Sequence, residues 1–432
     1  MAQQFDSTII QRIRGLRQNS FIKHNAVYFI GTMGVSVFNY AYYPVISRFL
    51  NLHQFGEAQF LLSTLLQATT ILTSFGLVVL YFTSNRDDDP HHIAAIQALE
   101  ATFLYVTIFL GALLLLISPA IQTFFQLSYP ATVVMFAVLL VMNVPLIFRS
   151  SILQGLQRFW KAAEVGMTAS ISKLVIAVGL MLAGYTMFGV FASLVIAHVL
   201  AVGYAYYLTS KTVPFTLKIS WNHLRVLWQR VRFVAFVVGL TTLGAIIYGL
   251  DVLAVRHYFS PETAGGYAGV STSARILFFL TSSVATVLVA SVRPTLSAVQ
   301  NRRILLRSLA LALLLGGAGL AALCVSPTWT LSVIVGSQYT SYAYLLTPLC
   351  GAVLLTALLN VWFCYYIALQ EYIAIVLTAI GVVVTTVLMA THHGTLLDII
   401  LNLALGSGII LVMFTVYEGI KLTRATYVQS HR

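Results

Sequence analysis

The sequence predicts an all-α integral membrane protein of about twelve transmembrane helices, on the basis of composition, span pattern and charge placement. Only 8% of the 432 residues are charged, against about 25% in an average soluble domain, and 59% are hydrophobic. The mean hydropathy is +0.90. A soluble fold cannot bury that much apolar surface, because interiors grow slowly with chain length. The composition therefore excludes soluble enzymes, nucleic-acid binders and secreted disulfide scaffolds.

Twelve apolar segments reach the length of about 20 residues that a membrane-crossing helix needs. None shows the apolar–polar alternation, in segments of about ten residues, that is typical of membrane β-barrel strands. The predicted spans are 25–50, 56–82, 93–117, 131–154, 162–184, 187–209, 233–257, 266–291, 304–326, 340–369, 371–391 and 396–420.

The basic residues predict the orientation of these spans. If the N-terminus is cytoplasmic, nineteen of the 24 Lys and Arg residues fall in segments on the inner side. Only Arg48 and Arg256 fall on the opposite side, and both lie at span ends. The positive-inside rule therefore predicts that both termini are cytoplasmic. The net charge of +12 then reflects topology and contact with anionic membrane lipids, and requires no nucleic-acid partner.

The longest polar connection divides the spans into six and six. The predicted organisation is a cytoplasmic N-terminal segment 1–24, an N-lobe 25–209, a cytoplasmic amphipathic linker 210–232, a C-lobe 233–420 and a cytoplasmic tail 421–432. The end of the first span resembles the end of the seventh, since in each an arginine follows a tyrosine by eight residues. Gly56 follows Arg48 by eight residues, and Gly265 follows Arg256 by nine. The two copies face the same way, which predicts a parallel repeat about an axis along the membrane normal.

Several motifs lie in an order that is typical of one transporter family. They are HNAVYFIG before and within the first span, SRFLNLHQFGEAQF at its end, and LQGLQRFWKAA after the fourth. The second half contributes DVLAVRHYFSPETAGGYA and TALLNVWFCYYIALQEYIAI. Together they resemble the polysaccharide transporter family, the Wzx-type flippases of O-antigen and other lipid-linked oligosaccharides. This family is a branch of the multidrug/oligosaccharidyl-lipid/polysaccharide exporter superfamily.

The resemblance implies two six-helix lobes that form a V around a central cavity, which opens alternately to each side. It implies a flippase, not an enzyme, that exports an undecaprenyl-(pyro)phosphate-linked oligosaccharide across the bacterial inner membrane for surface polysaccharide synthesis. Antiport of protons or sodium ions would drive it without a cofactor. A monomer is expected, with membrane lipids and polysaccharide assembly proteins as candidate partners. The alternative is a multidrug cation antiporter of the same superfamily.

Two cations near the middle of the membrane are the first candidates for substrate binding. Lys173 in the fifth span and Arg275 in the eighth would suit a pyrophosphate or an acidic sugar, because a desolvated cation attracts oxyanions strongly. Each also has a structural interpretation: Arg275 could form an ion pair with Asp251, and Lys173 could extend toward the inner interface.

Five further ionisable residues receive hypothetical roles. Arg149 is a third substrate-binding candidate, although it lies close enough to the inner end of its span to reach the interface. Asp251 is the first candidate for a carboxylate that binds the coupling ion, and Glu100 is the second. Arg48 and Arg256 close the first and seventh spans on the outside, where they could act as a gate or anchor to lipid phosphate. The paired histidines of the loops lack a third ligand, so no metal site is predicted.

Overall fold

The structure is a computed structural model that describes residues 20–84, 91–218, 231–292 and 296–430. Within those ranges the backbone is helical almost throughout and contains no β-strand. Eleven of the helical stretches in the described ranges are long and apolar enough to cross a membrane. The prediction of an all-α, multi-pass membrane protein is therefore confirmed.

The helices of the first half match the first six predicted spans to within a few residues. In the described part before residue 211 they are α1 (Ser20–Phe49), α2 (Leu52–Ser84), α3 (His91–Leu116), α4 (Ser118–Phe124), α5 (Ala131–Gly155), α6 (Phe159–Leu182) and α7 (Met187–Thr209). The first of them has 30 residues and is therefore about 45 Å long, which exceeds the thickness of the hydrocarbon core.

The helices of the second half match the other six spans, with two interruptions. They are α8 (Val231–Tyr258), α9 (Pro261–Ala274), α10 (Ile276–Ser291), α11 (Ala298–Cys324), α12 (Pro327–Ile334), a 3₁₀ helix (Ser337–Leu345), α13 (Leu346–Leu369), α14 (Ile373–Thr391) and α15 (Leu396–Ser430). The last helix continues ten residues beyond the predicted end of its span at 420. The eighth span consists of α9 and α10, which meet at Arg275.

Two short helices occupy equivalent positions in the two halves. Helix α4 follows α3, the third span, and α12 follows α11, the ninth span. Each has a proline in its first turn, which is the second residue of a Ser-Pro dipeptide at 118–119 and at 326–327. Proline is favoured there because its missing N–H has no helical partner to lose. The span prediction did not include these helices, and their matching positions extend the repeat seen in the sequence.

The described residues form two compact units. The first takes in those within 1–42, 75–111 and 138–227. Its helices α6 and α7 pack closely along each other, and small buried residues such as Ala162, Val165, Ala201 and Ala205 allow the approach. Van der Waals packing of this kind holds helices together where no water is present to drive association.

The second unit takes in the described residues within 43–74, 112–137 and 228–432. Helix α13 is central to it, because it packs against α8, α10, α11 and α15. Its side chains Leu349, Leu359, Val361 and Tyr366 are fully enclosed. This unit includes the predicted outer ends of the first four spans, together with the second half of the chain.

The predicted division into two six-span lobes describes the sequence repeat. The two compact units group the described residues differently, so the lobes stay a prediction. Residues 1–19, 219–230 and 431–432 of the predicted N-terminal segment, linker and tail lie outside the described residues.

Candidate functional site

Lys173 is a cation deep inside a span, and no described carboxylate lies within 4 Å of its ammonium group. It is the fifteenth of the 24 residues of α6, which places it about 21 Å from the start of the helix. Its Nζ donates to Oδ1 of Asn39 at 2.7 Å and lies 4.5 Å from the ring centroid of Tyr42. The contacts of this charge are thus a neutral amide and an aromatic face. Such a cation can still bind an anionic ligand.

Arg149 and Glu100 form a buried ion pair in the first unit. The guanidinium donates from Nε to Oε1 at 3.0 Å and from Nη2 to Oε2 at 2.6 Å, and the two residues are 0% and 1% exposed. Nη1 donates to the carbonyl of Val213. The hydroxyl of Tyr206 donates to Glu100 at 3.0 Å, and its ring lies 4.4 Å from the guanidinium carbon. The predicted substrate-binding arginine and the second predicted coupling carboxylate therefore bind each other in this structure.

Arg275 and Asp251 form a second buried pair, in the other unit. Nη2 of Arg275 lies 3.2 Å from Oδ1 of Asp251 and donates to the carbonyl of Tyr248 at 3.0 Å. The other carboxylate oxygen accepts from the hydroxyl of Tyr267 at 2.9 Å. Of the two interpretations that the sequence left for Arg275, the structure contains the ion pair. Both oxygens of Asp251 have a donor.

The junction of α9 and α10 positions Arg275 for this pair. The residue has φ −66° and ψ −10°, and its carbonyl accepts from the amide of Phe278, three residues later, at 3.1 Å. Mid-span turns of this tighter kind often mark a hinge or a functional position.

Arg256 lies in a buried cluster with Glu57, which sequence reasoning did not single out as a site. The guanidinium donates to the carbonyls of Phe125 and Gln126 at 2.8 and 2.6 Å, and lies 3.7 Å from Glu57. The carboxylate of Glu57 also accepts the amide N–H groups of Ser128 and Tyr129 at 3.0 and 3.1 Å. Arg256 and Glu57 are 1% and 0% exposed. The signal that could have found Glu57 is its place beside Gly56, in the segment that repeats around Gly265.

Arg48 makes the equivalent contact with the opposite half of the sequence. Its guanidinium donates to the carbonyl of Val333 in α12, while Arg256 donates to carbonyls just after α4. Each repeat thus supplies an arginine to the C-terminal end of the other repeat's short helix, where the helix dipole favours a cation. Gln338 adds hydrogen bonds to the carbonyls of Ser47 and Leu50 at 2.8 and 3.0 Å. We call these two contacts the reciprocal arginine clusters.

Two glycines let the helices of these clusters approach each other. A Cβ added to Gly56 would lie 2.8 Å from the Cα of Gly265, and one added to Gly265 would lie 1.7 Å from the carbonyl oxygen of Leu52. No larger residue fits either position without displacing the backbone. The two glycines that the repeat relates are therefore in direct contact.

The predicted site residues do not converge on one point in either unit. Lys173 and the Arg149–Glu100 pair belong to the first unit, while the Arg275–Asp251 pair belongs to the second, as do both reciprocal arginine clusters. In the described ranges no group of three or more His, Cys, Asp or Glu side chains is placed to hold a metal ion.

Comparison with known proteins identifies the family. Residues 45–344 match the sequence profile of a polysaccharide biosynthesis protein family. No curated protein has a significantly similar sequence. Among solved structures, the lipid II flippase MurJ in an inward closed conformation superposes with a TM-score of 0.67 at 12% identity, over 91% of this chain and 87% of that one.

Two further solved structures share the fold. An inward-facing multidrug resistance MATE family transporter of the MOP superfamily has a TM-score of 0.62 at 13% identity, over 91% of this chain and 96% of its own. A MOP superfamily transporter from Pyrococcus furiosus has a TM-score of 0.57 at 12% identity, over 93% and 95% of the two chains. At such identities the likeness concerns the fold, while the profile match covers more than half of the sequence. The chain belongs to the polysaccharide biosynthesis protein family and has the fold of the MOP superfamily transporters.

Proposed function

We propose that the protein is a flippase that moves an undecaprenyl-(pyro)phosphate-linked oligosaccharide from the cytoplasmic to the outer leaflet of the bacterial inner membrane. The cargo would serve surface polysaccharide synthesis, such as that of O-antigen. The observation that carries this proposal is Lys173, a mid-span cation with no carboxylate of the described residues within 4 Å. Family membership supports the role in polysaccharide synthesis, and the structural neighbours named above are transporters and a flippase rather than enzymes.

The energetics of a buried ammonium group support an anionic cargo. A lysine at the centre of a membrane helix costs about 2.5–3.5 kcal/mol even on permissive scales. A neutral amide and a tyrosine ring offset part of this cost, but they leave the positive charge uncompensated. Phosphate oxygens form charge-assisted hydrogen bonds with such a group, and these bonds are about twice as strong as neutral ones.

The buried acids give less support to the alternative, a multidrug cation antiporter. Each buried acid in the described spans lies within 4 Å of a basic nitrogen; they are Glu57, Glu100, Asp251 and Glu418. A cationic drug would have to displace an arginine or a lysine to reach any of them. A phosphate faces no such competition at Lys173.

The Arg275–Asp251 pair suggests how transport could be coupled to an ion. A phosphate that engages Arg275 would compete with Asp251, whose released carboxylate could then bind a proton or a sodium ion. The Arg149–Glu100 pair offers the same exchange in the first unit. In both pairs the arginine is the proposed substrate group and the acid the proposed ion carrier.

The reciprocal arginine clusters suggest a gate. Arg48 and Arg256 tie the predicted outer ends of the two sequence halves together through backbone carbonyls. Release of the cargo on the outer side would require these contacts to open. Hydrogen bonds to carbonyl groups can re-form without a change of protonation, which suits a contact that opens in every cycle.

Mass spectrometry of lipid extracts tests the proposed function. Cells that lack the protein should accumulate a polyprenyl-linked oligosaccharide and lose surface glycan. Reintroduced wild type should reverse both effects, while Lys173→Glu at normal membrane levels should not. A matched control is Lys161→Gln on the same helix, since Lys161 is 45% exposed at its side chain and pairs with Glu164. An unchanged lipid pool in deleted cells, or full activity of Lys173→Glu, would contradict the proposal.

A further inference from the structure

A cavity of about 260 Å³ lies inside the second unit, at the middle of four helices. Its walls come from α2, α8, α10 and α13, and all of its lining residues belong to this one unit. None of these residues is charged. None of the roles proposed above for the ionisable residues involves this cavity.

Two side-chain amides that line the cavity lack hydrogen-bond partners. Gln67 is the sixteenth of the 33 residues of α2, and Asn360 is the fifteenth of the 24 residues of α13. Nε2 of Gln67 packs against Gly249 without accessible surface and donates to no acceptor in the described structure, while no described donor bonds to its Oε1. Asn360 makes no hydrogen bond to any described residue. Unpaired amides at the middle of a membrane span are costly, so a ligand that pairs with them would stabilise this arrangement.

Helix α8 lies opposite Gln67 and leaves space for the Gln67 amide. A Cβ added to Gly249 of α8 would lie 2.0 Å from Nε2 of Gln67. Five residues earlier, a Cβ added to Gly244 would lie 3.0 Å from the ring of Phe363, another residue of the cavity wall. The small residues of α8 therefore leave room for the amide and the ring.

Aromatic rings line the rest of the cavity beside the amides. Tyr248 and Phe278 lie with their ring centroids 4.5 Å apart, and Phe279 and Phe363 also line the cavity. The hydroxyl of Thr241 also lines it. A sugar ring offers hydroxyl groups that both donate and accept, which matches an amide's paired donor and acceptor, and it offers C–H faces that pack on aromatic rings.

We propose that this cavity is a binding subsite for an uncharged sugar residue of the cargo, held by Gln67 and Asn360. The volume, equivalent to on the order of eight or nine water molecules, suits a single sugar ring. The proposal rests on the proposed flippase function and deepens it. In it, the amide pair distinguishes a glycosylated carrier lipid from a bare one.

The test compares the binding of two lipid probes to the purified full-length protein by native mass spectrometry. One probe is the polyprenyl-diphosphate glycolipid fraction of a bacterium that makes surface polysaccharide. The other is undecaprenyl diphosphate, the same carrier lipid without a glycan. The variants are Gln67→Met and Asn360→Leu, which keep the shape of each side chain and remove its hydrogen-bonding groups. The control is Asn402→Leu, because the Asn402 amide lies outside the cavity and donates to the carbonyls of Leu388 and His392.

Wild type should prefer the glycosylated probe roughly tenfold, since only that probe can form neutral hydrogen bonds with both amides. Gln67→Met and Asn360→Leu should each reduce this preference several-fold while binding undecaprenyl diphosphate as wild type does. Asn402→Leu should keep the preference, and Lys173→Gln should weaken the binding of both probes to the same extent.

The outcomes separate the two proposals. Variants that keep the wild-type preference, or a wild type that has none, would overturn the sugar subsite and leave the flippase proposal standing. A wild type that binds neither probe would overturn the flippase proposal, and the sugar subsite with it.

Discussion

Lys173 differs from the other deep cations because its charge is not neutralised by a described carboxylate. Replacing it with glutamine should therefore remove the proposed substrate contact without unpairing a buried acid. We expect Lys173→Gln to lower export about ten- to hundredfold, the range for one charge-assisted hydrogen bond, with little change in thermal stability. Lys173→Arg should keep most activity, since it retains the positive charge. Glycan export and the thermal midpoint of the purified protein check both expectations; loss of stability with export intact would contradict them.

Arg149 should behave in the opposite way. Removing one partner of a buried ion pair leaves the other charge unpaired, which costs about 3–5 kcal/mol. We expect Arg149→Met to destabilise the protein strongly, and Glu100→Gln with Arg149→Met to recover part of the loss, because both charges are then gone. Thermal unfolding in detergent measures this coupling. Unfolding of Arg149→Met at the wild-type temperature would contradict this expectation; loss of export in such a stable variant would still support the proposed substrate role of Arg149.

The difference between these two residues could not be predicted from the sequence. Both are basic residues within apolar spans, and the sequence alone makes both of them candidates for binding the cargo. The partner of Arg149 lies 49 residues away on another helix, and that of Arg256 lies 199 residues away. Side-chain pairing depends on which helix faces meet, and span counting does not determine those faces. The pairing of Arg275 with Asp251 was anticipated as an alternative because their helices are consecutive and their depths similar.

At the scale of elements, the contact between α2 and α9 depends on the absence of a side chain. A Cβ at Gly265 would lie 1.7 Å from a backbone oxygen, whereas one at Gly317 of α11 would have no neighbour within 4 Å. We expect Gly265→Ala to lower stability by about 1–3 kcal/mol, as overpacked contacts do. Gly317→Ala should be neutral or stabilising by up to about 1 kcal/mol, because alanine favours the helix. Denaturation of the two purified variants checks this, and equal stabilities would mean that α2 and α9 do not pack as described.

The short helices α4 and α12 mark the limit of prediction at this scale. Long apolar runs specify the membrane spans almost by length alone, so the twelve predicted segments agree with the helices to within a few residues at most ends. A helix of seven or eight residues has no such signal. Its Ser-Pro start is visible in the sequence, but this dipeptide indicates a helix only when the equivalent positions of both halves are compared.

For the whole molecule, the packing contacts group the residues in a way that the sequence repeat does not predict. The sequence divides evenly into two halves, yet the predicted outer ends of the first four spans pack in one unit with the second half. The reciprocal arginine clusters account for part of this grouping, because each joins residues more than 100 positions apart. A repeat predicts which positions are equivalent. It does not predict at which end of the spans they join.

The orientation of the whole chain can be tested by labelling two exposed aromatic positions from outside. The charge distribution predicts that Tyr185, after the fifth span, is external and that Phe215, after the sixth, is cytoplasmic. They are 53% and 49% exposed, so their accessibility within the protein is similar. In a background without Cys324, Cys350 and Cys364, a membrane-impermeant maleimide should label Tyr185→Cys in intact spheroplasts. Phe215→Cys should react only after permeabilisation. The reverse pattern would place both termini outside and invert the direction of transport proposed above, since Lys173 would then be approached from the opposite leaflet.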